Sequence, residues 1–410
     1  MDLIWLSHFL PYPPRGGAAQ RSYNLLRQAA IHHRVCLVAF HRPEQPPEVL
    51  TATRLELERF CHRVEILELP ARWRGPLWWA RLLQSPFVSA PAAVNAYWSD
   101  EIGEKWLKVL GEYPDALVHI DSSDLASFVP SVKRLPSVLN HHNCESAMLR
   151  RRADLEGNPL KKWFLRSEAR KQLDLESRLL SQVHVNLTVS EEERDCLRQI
   201  NKAAIFRIVE NGTDTDFFHP MDLAPEENTV VFAGSLCWYP NQSGLRFFIR
   251  EVWPALKQRR PGLRGVVAGQ APPEALRRLL TSAPDILLVS DPEDIRPWIA
   301  RGAVYVCPIL DGGGSRLKLL DAMAMGKAIV STEVGAEGLR VTSGVHMIVV
   351  DAPGQFAYQV LSLLDNASLR GRLEAQARYR AVSEYSWPVI GERLRSAYEA
   401  ARIAAAGSPQ

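Results

Sequence analysis

The stretch "DGGGSRLKLLDAMAMGKAIVST", residues 311–332, decides how this chain folds. It is preceded by the apolar run "AVYVCPI" (303–309) and ends inside another, "KAIVSTE" (327–333). Both runs have the length and continuity of strands buried on both faces. Between them, glycines open a helix-like segment over 315–325. Strand, glycine turn, helix and strand make a βαβ unit, which predicts a parallel sheet.

The helix start is electrostatically odd. Arg316 and Lys318 fall in its first turn, where the backbone already places about half a positive charge, so each costs roughly 0.3–1 kcal/mol unless compensated. Leu317, Leu319, Leu320, Met323 and Ala324 make the helix apolar on much of its circumference, and unpaired cations beside a buried helix are expensive. A phosphate or diphosphate removes the misfit. It would be held by free N–H groups of Gly314, Ser315 and their neighbours, by the dipole, and by Arg316 and Lys318. Asp321, three residues past Lys318 on the same face, would then meet ribose hydroxyls one turn deeper. The competing reading is a glycine-rich connection with two solvated cations. The pattern is neither a Walker A loop nor G-x-G-x-x-G.

The same rhythm extends in both directions. "LIWLSHF" (3–9), "RVCLVAF" (34–40), "RVEILEL" (63–69), "DALVHID" (115–121), "PSVLNHH" (136–142) and "VHVNLTVS" (183–190) alternate with helix-like stretches in the first half. After "IFRIVENGTDTDFFHP" (205–220) the rhythm restarts with "TVVFAGS" (229–235), "RGVVAGQ" (264–270), "DILLVSD" (285–291), the two runs above and "HMIVVDA" (346–352), with a helix expected over 241–258. The expectation is an α/β protein of two tandem, doubly wound, Rossmann-like domains. Domain one is 1–210, an Asn/Gly/Asp/Pro-rich linker covers 211–227, and domain two is 228–385. In "YSWPVIGERLRSAYEAARIAAA" (385–406), Trp387, Ile390, Leu394 and Tyr398 recur at helical spacing. Residues 386–410 therefore read as a terminal helix packed back on the first domain, with a frayed tail. Ligands bind beyond the carboxyl ends of parallel strands, so a cleft between the two sheets is the expected site.

Bulk composition excludes some classes. With 410 residues, 46% hydrophobic and 23% charged, the chain can build two cores. A net charge of +3 lacks the basic excess that nucleic-acid binding demands. Six cysteines are scattered without C-x-x-C or zinc spacing, which favours a reduced, cytoplasmic setting. "MDLIWLSHFLPYPP" reads as a first strand, not a signal peptide, and no run reaches the ~18 apolar residues of a membrane span.

Further candidates sit at strand ends. Gly16 and Gly17 in "RGGAAQR" either let a backbone approach a ligand or make a tight turn. In "NHHNCES" (140–146), His142 and Glu145 could do acid–base or hydroxyl-binding work, or Asn143 caps the next helix. In "HIDSSD" (119–124), Asp121 is the cleft candidate and Asp124 a helix cap. "DTD" (214–216) reads as a turn and not a metal site. "RWRGPLWWARLL" (72–83), with Trp73, Trp78 and Trp79, and the basic "LRRRADLEGNPLKKWFLRSEARK" (149–171) suit either a membrane interface or solvated helix faces.

Four landmarks in order, Gly16–Gly17, "VENGTDTDFFHP" (209–220), "VVFAGSLCWYPN" (230–241) and "GGGSRLKLLDAMAMGKAIVSTEVGAEGL" (312–339), resemble the retaining nucleotide-sugar glycosyltransferases of family 4. They are most similar to the exopolysaccharide-associated sugar transferase group. The resemblance implies a GT-B fold and a retaining, hexosyltransferase-type reaction without metal or resident cofactor, the nucleotide diphosphate sugar being co-substrate. It implies donor contacts from Ser235, Gly314, Ser315, Arg316, Lys318 and Asp321. Acceptor contacts (a glycan or lipid-linked hydroxyl) would come from Gly16, Gly17, Asn143 and Glu145, and Arg316, Lys318, Asp121 and His142 would serve the chemistry. The family's E-x7-E pattern has Asp321 at its second position and Gly313 at its first. The family's diphosphate-gripping Arg and Lys are missing near Ser235 and Asn241, and Arg316 and Lys318 would replace their charge. A cytoplasmic protein, peripheral on the inner membrane face, is the expected setting. A nonhydrolysing nucleotide-sugar epimerase and a catalytically silent glycan- or nucleotide-binding partner are the alternatives.

Overall fold

A computed structural model describes residues 1–14, 16–70, 88, 91, 94, 97–312 and 317–407. The chain forms two compact units, Met1–Glu210 with Ile390–Gln410, and Asn211–Val389.

The first unit holds a parallel sheet of β1 (Asp2–Ser7), β2 (Arg34–His41), β3 (Arg63–Glu68), β4 (Leu117–Ile120), β5 (Ser137–His141), β6 (Val185–Thr188) and β7 (Phe206–Ile208). Their order is β3-β2-β1-β4-β5-β6-β7, so the winding reverses between β1 and β4. The six apolar runs expected in this half are all strands. β7 was not anticipated: it has three residues at the sheet edge and none is fully buried, so its hydrophobic pattern is weak. On one face Ile4, Leu6, Val38, Phe40, Val118 and Ile120 join Phe128 and the buried stripe Ile102, Trp106 and Val109 of the helix Asp100–Glu112. Ser99 caps that helix by accepting from the Ile102 N–H. Elsewhere in this unit the terminal helix Trp387–Ala406 buries Ile390, Leu394 and Tyr398. The Tyr398 hydroxyl lies 2.8 Å from His119 Nδ1.

The second unit holds β8 (Glu226–Ala233), β9 (Arg264–Gly269), β10 (Ile286–Ser290), β11 (Gly302–Cys307), β12 (Ile329–Ser331) and β13 (Ile348–Val349). All pairs are parallel, in the order β10-β9-β8-β11-β12-β13. The helix Leu317–Ala324 buries Leu319, Leu320, Ala322, Met323 and Ala324 in the core. The single helix expected over 241–258 is two, Tyr239–Phe247 and Trp253–Arg259, joined by a π turn. Pro254 has no N–H to continue the ladder, and the Trp253 N–H reaches back to Phe248 O instead.

The stretch read as a linker begins as part of this unit. The Thr213 N–H donates to Tyr385 O at 2.8 Å, and the Arg378 guanidinium donates to the carbonyls of Thr215, Phe218 and Ala324. Gly212 lies so close to the Trp387 ring that a Cβ would stand 2.7 Å away. "DTD" is a turn: Asp214 Oδ1 accepts from the N–H groups of Asp216 and Phe217. Among the described residues, no helix is long and apolar enough to cross a membrane.

Candidate functional site

In the second unit Ser235, Asn241 and Lys318 meet where the winding reverses, beyond the carboxyl end of β8. The backbone is tight here. A Cβ on Gly269 would stand 1.8 Å from Gly234 O, and one on Gly244 2.5 Å from Pro308 O, so both positions need glycine for close approach. Asn241 is buried and organises the site. Its Nδ2 donates to Ser235 O at 2.6 Å, and its Oδ1 accepts from Lys318 Nζ. The Lys318 ammonium also lies 5.2 Å from the Phe232 ring centre and 5.6 Å from that of Trp238, within cation–π range.

Lys318, in the first turn of its own helix, therefore reaches Asn241 at the start of the helix Tyr239–Phe247, which in turn holds the Ser235 carbonyl on the loop after β8. The Ser235 hydroxyl is turned to Cys237 Sγ at 3.1 Å, so Ser235 serves this loop through its carbonyl. One turn further along, Asp321 Oδ1 accepts from Thr213 Oγ1 at 2.7 Å. Burial pushes the Asp321 carboxyl up to about 7, with Asp214 adding to the rise and the Thr213 hydrogen bond opposing it. Gly313, Gly314, Ser315 and Arg316 lie outside the described residues.

In the first unit, Asp121 is fully buried just past β4. Its Oδ2 accepts from Ser22 Oγ at 2.5 Å and its Oδ1 from Asn140 Nδ2 at 3.0 Å. Asn140 Oδ1 accepts from Arg21 at 2.9 Å, and Arg21 also donates to the carbonyls of Val209 and Glu210. Burial alone would raise the Asp121 carboxyl, but His119, His142 and His8 around it hold it below the usual range. His142 Nε2 lies 2.8 Å from the Asp121 main-chain oxygen. Burial lowers His8 and His142 to about 4, against the pull of Asp121, so both are neutral at physiological pH.

His8, Asp121 and His142 place one ligand atom each within 4.8 Å of one another. The Asp121 oxygens are already hydrogen-bonded, and His142 is engaged by the backbone. The set thus works first as an internal polar network. Sequence reasoning singled out Asp121 and His142 but missed His8, Ser22, His119, Asn140 and Arg21. The usable signal was polar residues inside otherwise apolar strand and helix faces.

Two capping expectations are corrected. Ser122, not Asp124, caps the 3-10 turn 123–132, its Oγ accepting from the Asp124 N–H. Asn143 does not cap the helix Glu145–Leu155, which starts after Cys144 with no side-chain cap. Its Nδ2 donates to Glu145 Oε1 at 3.0 Å, while burial pushes the Glu145 carboxyl up to about 7. Gly16 precedes the helix Gly17–His32 with a φ of 85°, and the space around its missing Cβ is open. A left-handed turn explains that glycine without a ligand.

Two parallel sheets, each with its polar residues at the reversal point, define the class as the GT-B fold of glycosyltransferases. Sucrose-phosphate synthase from Thermosynechococcus elongatus superposes with a TM-score of 0.72 at 17% identity, covering 98% of this chain and 100% of that one. The Anabaena Alr3699/HepE structure in complex with UDP gives 0.69 at 15% identity, covering 97% and 100%. Residues 227–366, within the second unit, match the family Glycosyl transferases group 1. A 44.6 kDa protein of the cps region of Klebsiella pneumoniae is 26% identical over 34% of this chain and 38% of its own length. The phosphatidyl-myo-inositol mannosyltransferase of Mycobacterium tuberculosis is 28% identical over 47% of this chain and 53% of its own. The chain thus spans about half the length, or less, of these curated relatives.

Proposed function

We propose that this chain is a retaining glycosyltransferase that moves a sugar, without a metal ion, from a nucleotide diphosphate sugar to a hydroxyl of a lipid-linked or polysaccharide acceptor. The observation that carries this reading is the Lys318 ammonium held by Asn241 in the first turn of the helix after β8, with Lys318 one helical turn before Asp321. In this reading the cation meets the diphosphate and the carboxyl of Asp321 meets the ribose hydroxyls. The UDP bound by HepE and the mannosyltransferase name of the mycobacterial relative support the donor and lipid-acceptor classes. The cps-region relative supports a polysaccharide setting.

In this reading the departing diphosphate accumulates negative charge, which Lys318, Arg316 and the amides of Gly314 and Ser315 stabilise. These fixed positive groups serve the leaving group as a divalent cation would, so EDTA should leave turnover unchanged. On the acceptor side, the neutral imidazole of His142, oriented on Asp121, is the candidate to receive a hydrogen bond or proton from the acceptor hydroxyl, with Asn143 and Glu145 beside it. Gly16 and Gly17 would border the acceptor.

Membrane-surface contact belongs to the same reading. Trp73, Trp78 and Trp79 lie outside the described residues. In the helix Pro159–Leu179, Leu160 and Trp163 are 79% and 56% exposed beside Lys161 and Lys162, a composition suited to an anionic lipid surface. A cytoplasmic setting on the inner membrane face is part of the same proposal.

The test is a panel of nucleotide sugars scored by thermal shift, then by turnover with membrane lipid extract. Stabilisation by one nucleotide class and acceptor-dependent consumption of that donor are expected. Binding of none would overturn the proposal, and donor isomerisation without acceptor would replace it with an epimerase.

A further inference from the structure

The fold brings together two cysteines that the sequence separates by 52 positions. Cys144 stands at the start of the helix Glu145–Leu155, two residues after His142, and Cys196 lies in the helix Glu191–Ile200. Their sulfurs are 2.7 Å apart, while a disulfide bond measures about 2.05 Å. Both are free thiols. Cys144 is buried and Cys196 is partly accessible, with Leu180 and Leu197 packed around the pair. The surroundings also restrain the loop: Glu193 accepts from the Cys144 N–H, and Glu176 accepts from both the N–H and the hydroxyl of Ser146.

We propose that Cys144 and Cys196 form a reversible dithiol–disulfide site that reacts with low-molecular-weight disulfides and, when oxidised, ties the loop carrying His142 and Asn143, at the start of the helix Glu145–Leu155, to the helix Glu191–Ile200. Cys196 is the attacking sulfur. It is the more accessible of the two, and the sulfur–sulfur contact lowers the Cys196 thiol, whereas that contact and burial hold the Cys144 thiol up. The Cys196 thiolate attacks one sulfur of the small disulfide, whose S–S bond breaks and releases one thiolate. Cys144 then gives its proton to solvent and attacks Cys196 Sγ, expelling the second thiolate. Two protein thiols are oxidised, and one small disulfide is reduced to two thiols.

The experiment equilibrates the full chain in glutathione buffers of graded redox poise, followed by acid quench, alkylation and peptide mapping. A Cys237→Ser background removes the exposed thiol that would form its own mixed disulfide. The expected result is one linked peptide pair, 144 with 196, appearing cooperatively with the loss of two titratable thiols and reversed by reductant. The thermal midpoint should rise by several degrees on oxidation, and amide exchange over residues 143–150 should slow. Cys144→Ser should stop at a glutathione adduct on Cys196. Separate adducts on both cysteines in the otherwise native chain, or no link at the most oxidising poise, would overturn the proposal. None of these readouts depends on sugar transfer.

Discussion

Two aspartates past strand ends or on a helix feel the same burial and end in opposite states. At Asp321 burial prevails and lifts the carboxyl to about 7. At Asp121 the surrounding donors and imidazoles prevail and hold it low. The stability consequences have opposite signs. Asp321 is raised above its unfolded value of about 3.9, so its favourable term is complete below about pH 4 and is lost as pH rises through about 7. Urea titrations from pH 4 to 8 should show Asp321→Asn gaining on wild type by a few kcal/mol over that window, and a pH-independent difference would refute the assignment. Asp121 contributes above about pH 4 and loses its contribution as acid protonates it. Asp121→Asn leaves the buried Arg21 charge less compensated and should cost about 3 kcal/mol or more in the same assay at pH 7. At this scale the sequence disclosed Lys318 and Asp321, because a cation in a helix's first turn is a local misfit. It did not disclose Asn241 or Thr213, whose bonds to that helix span 77 and 108 residues.

Elements are positioned by glycines at close approaches, and these separate into two kinds. A Cβ on Gly269 would meet Gly234 O, and one on Gly244 would meet Pro308 O, both backbone atoms that cannot swing aside. Gly371 lies within the helix Ala367–Tyr385 with open space around it. Gly244→Ala should therefore cost about 1–3 kcal/mol by overpacking and weaken nucleotide binding as the Asn241-bearing helix shifts. Gly371→Ala should stabilise by about 0.4–1 kcal/mol. Thermal melts of the two variants check both signs at once. Strands were the most legible elements, since buried parallel strands write themselves as continuous apolar runs. The edge strand β7 and the π turn before Trp253 were not legible. One buries too little to leave a pattern, and the other depends on a single missing N–H.

At the scale of the molecule, the chain leaves the first unit at Glu210 and re-enters it at Ile390. The spacing of Ile390, Leu394 and Tyr398 showed a helix, but only the fold shows Tyr398 bonded to His119 and Gly391 pressed against Gln28. A chain ending at Val389 should lose cooperative unfolding of the first unit while the second, Asn211–Val389, still melts as one transition. Calorimetry of the truncated chain would record this, and two intact transitions would refute it. Function at this scale rests on whether the second unit holds a diphosphate against Lys318. The most direct measurement is calorimetric titration of a nucleoside diphosphate into wild type, Lys318→Ala and Arg316→Ala at matched ionic strength. Each substitution should weaken binding by about tenfold or more with the thermal midpoint nearly unchanged. Equal affinity in all three proteins, or no binding to wild type, would contradict the account.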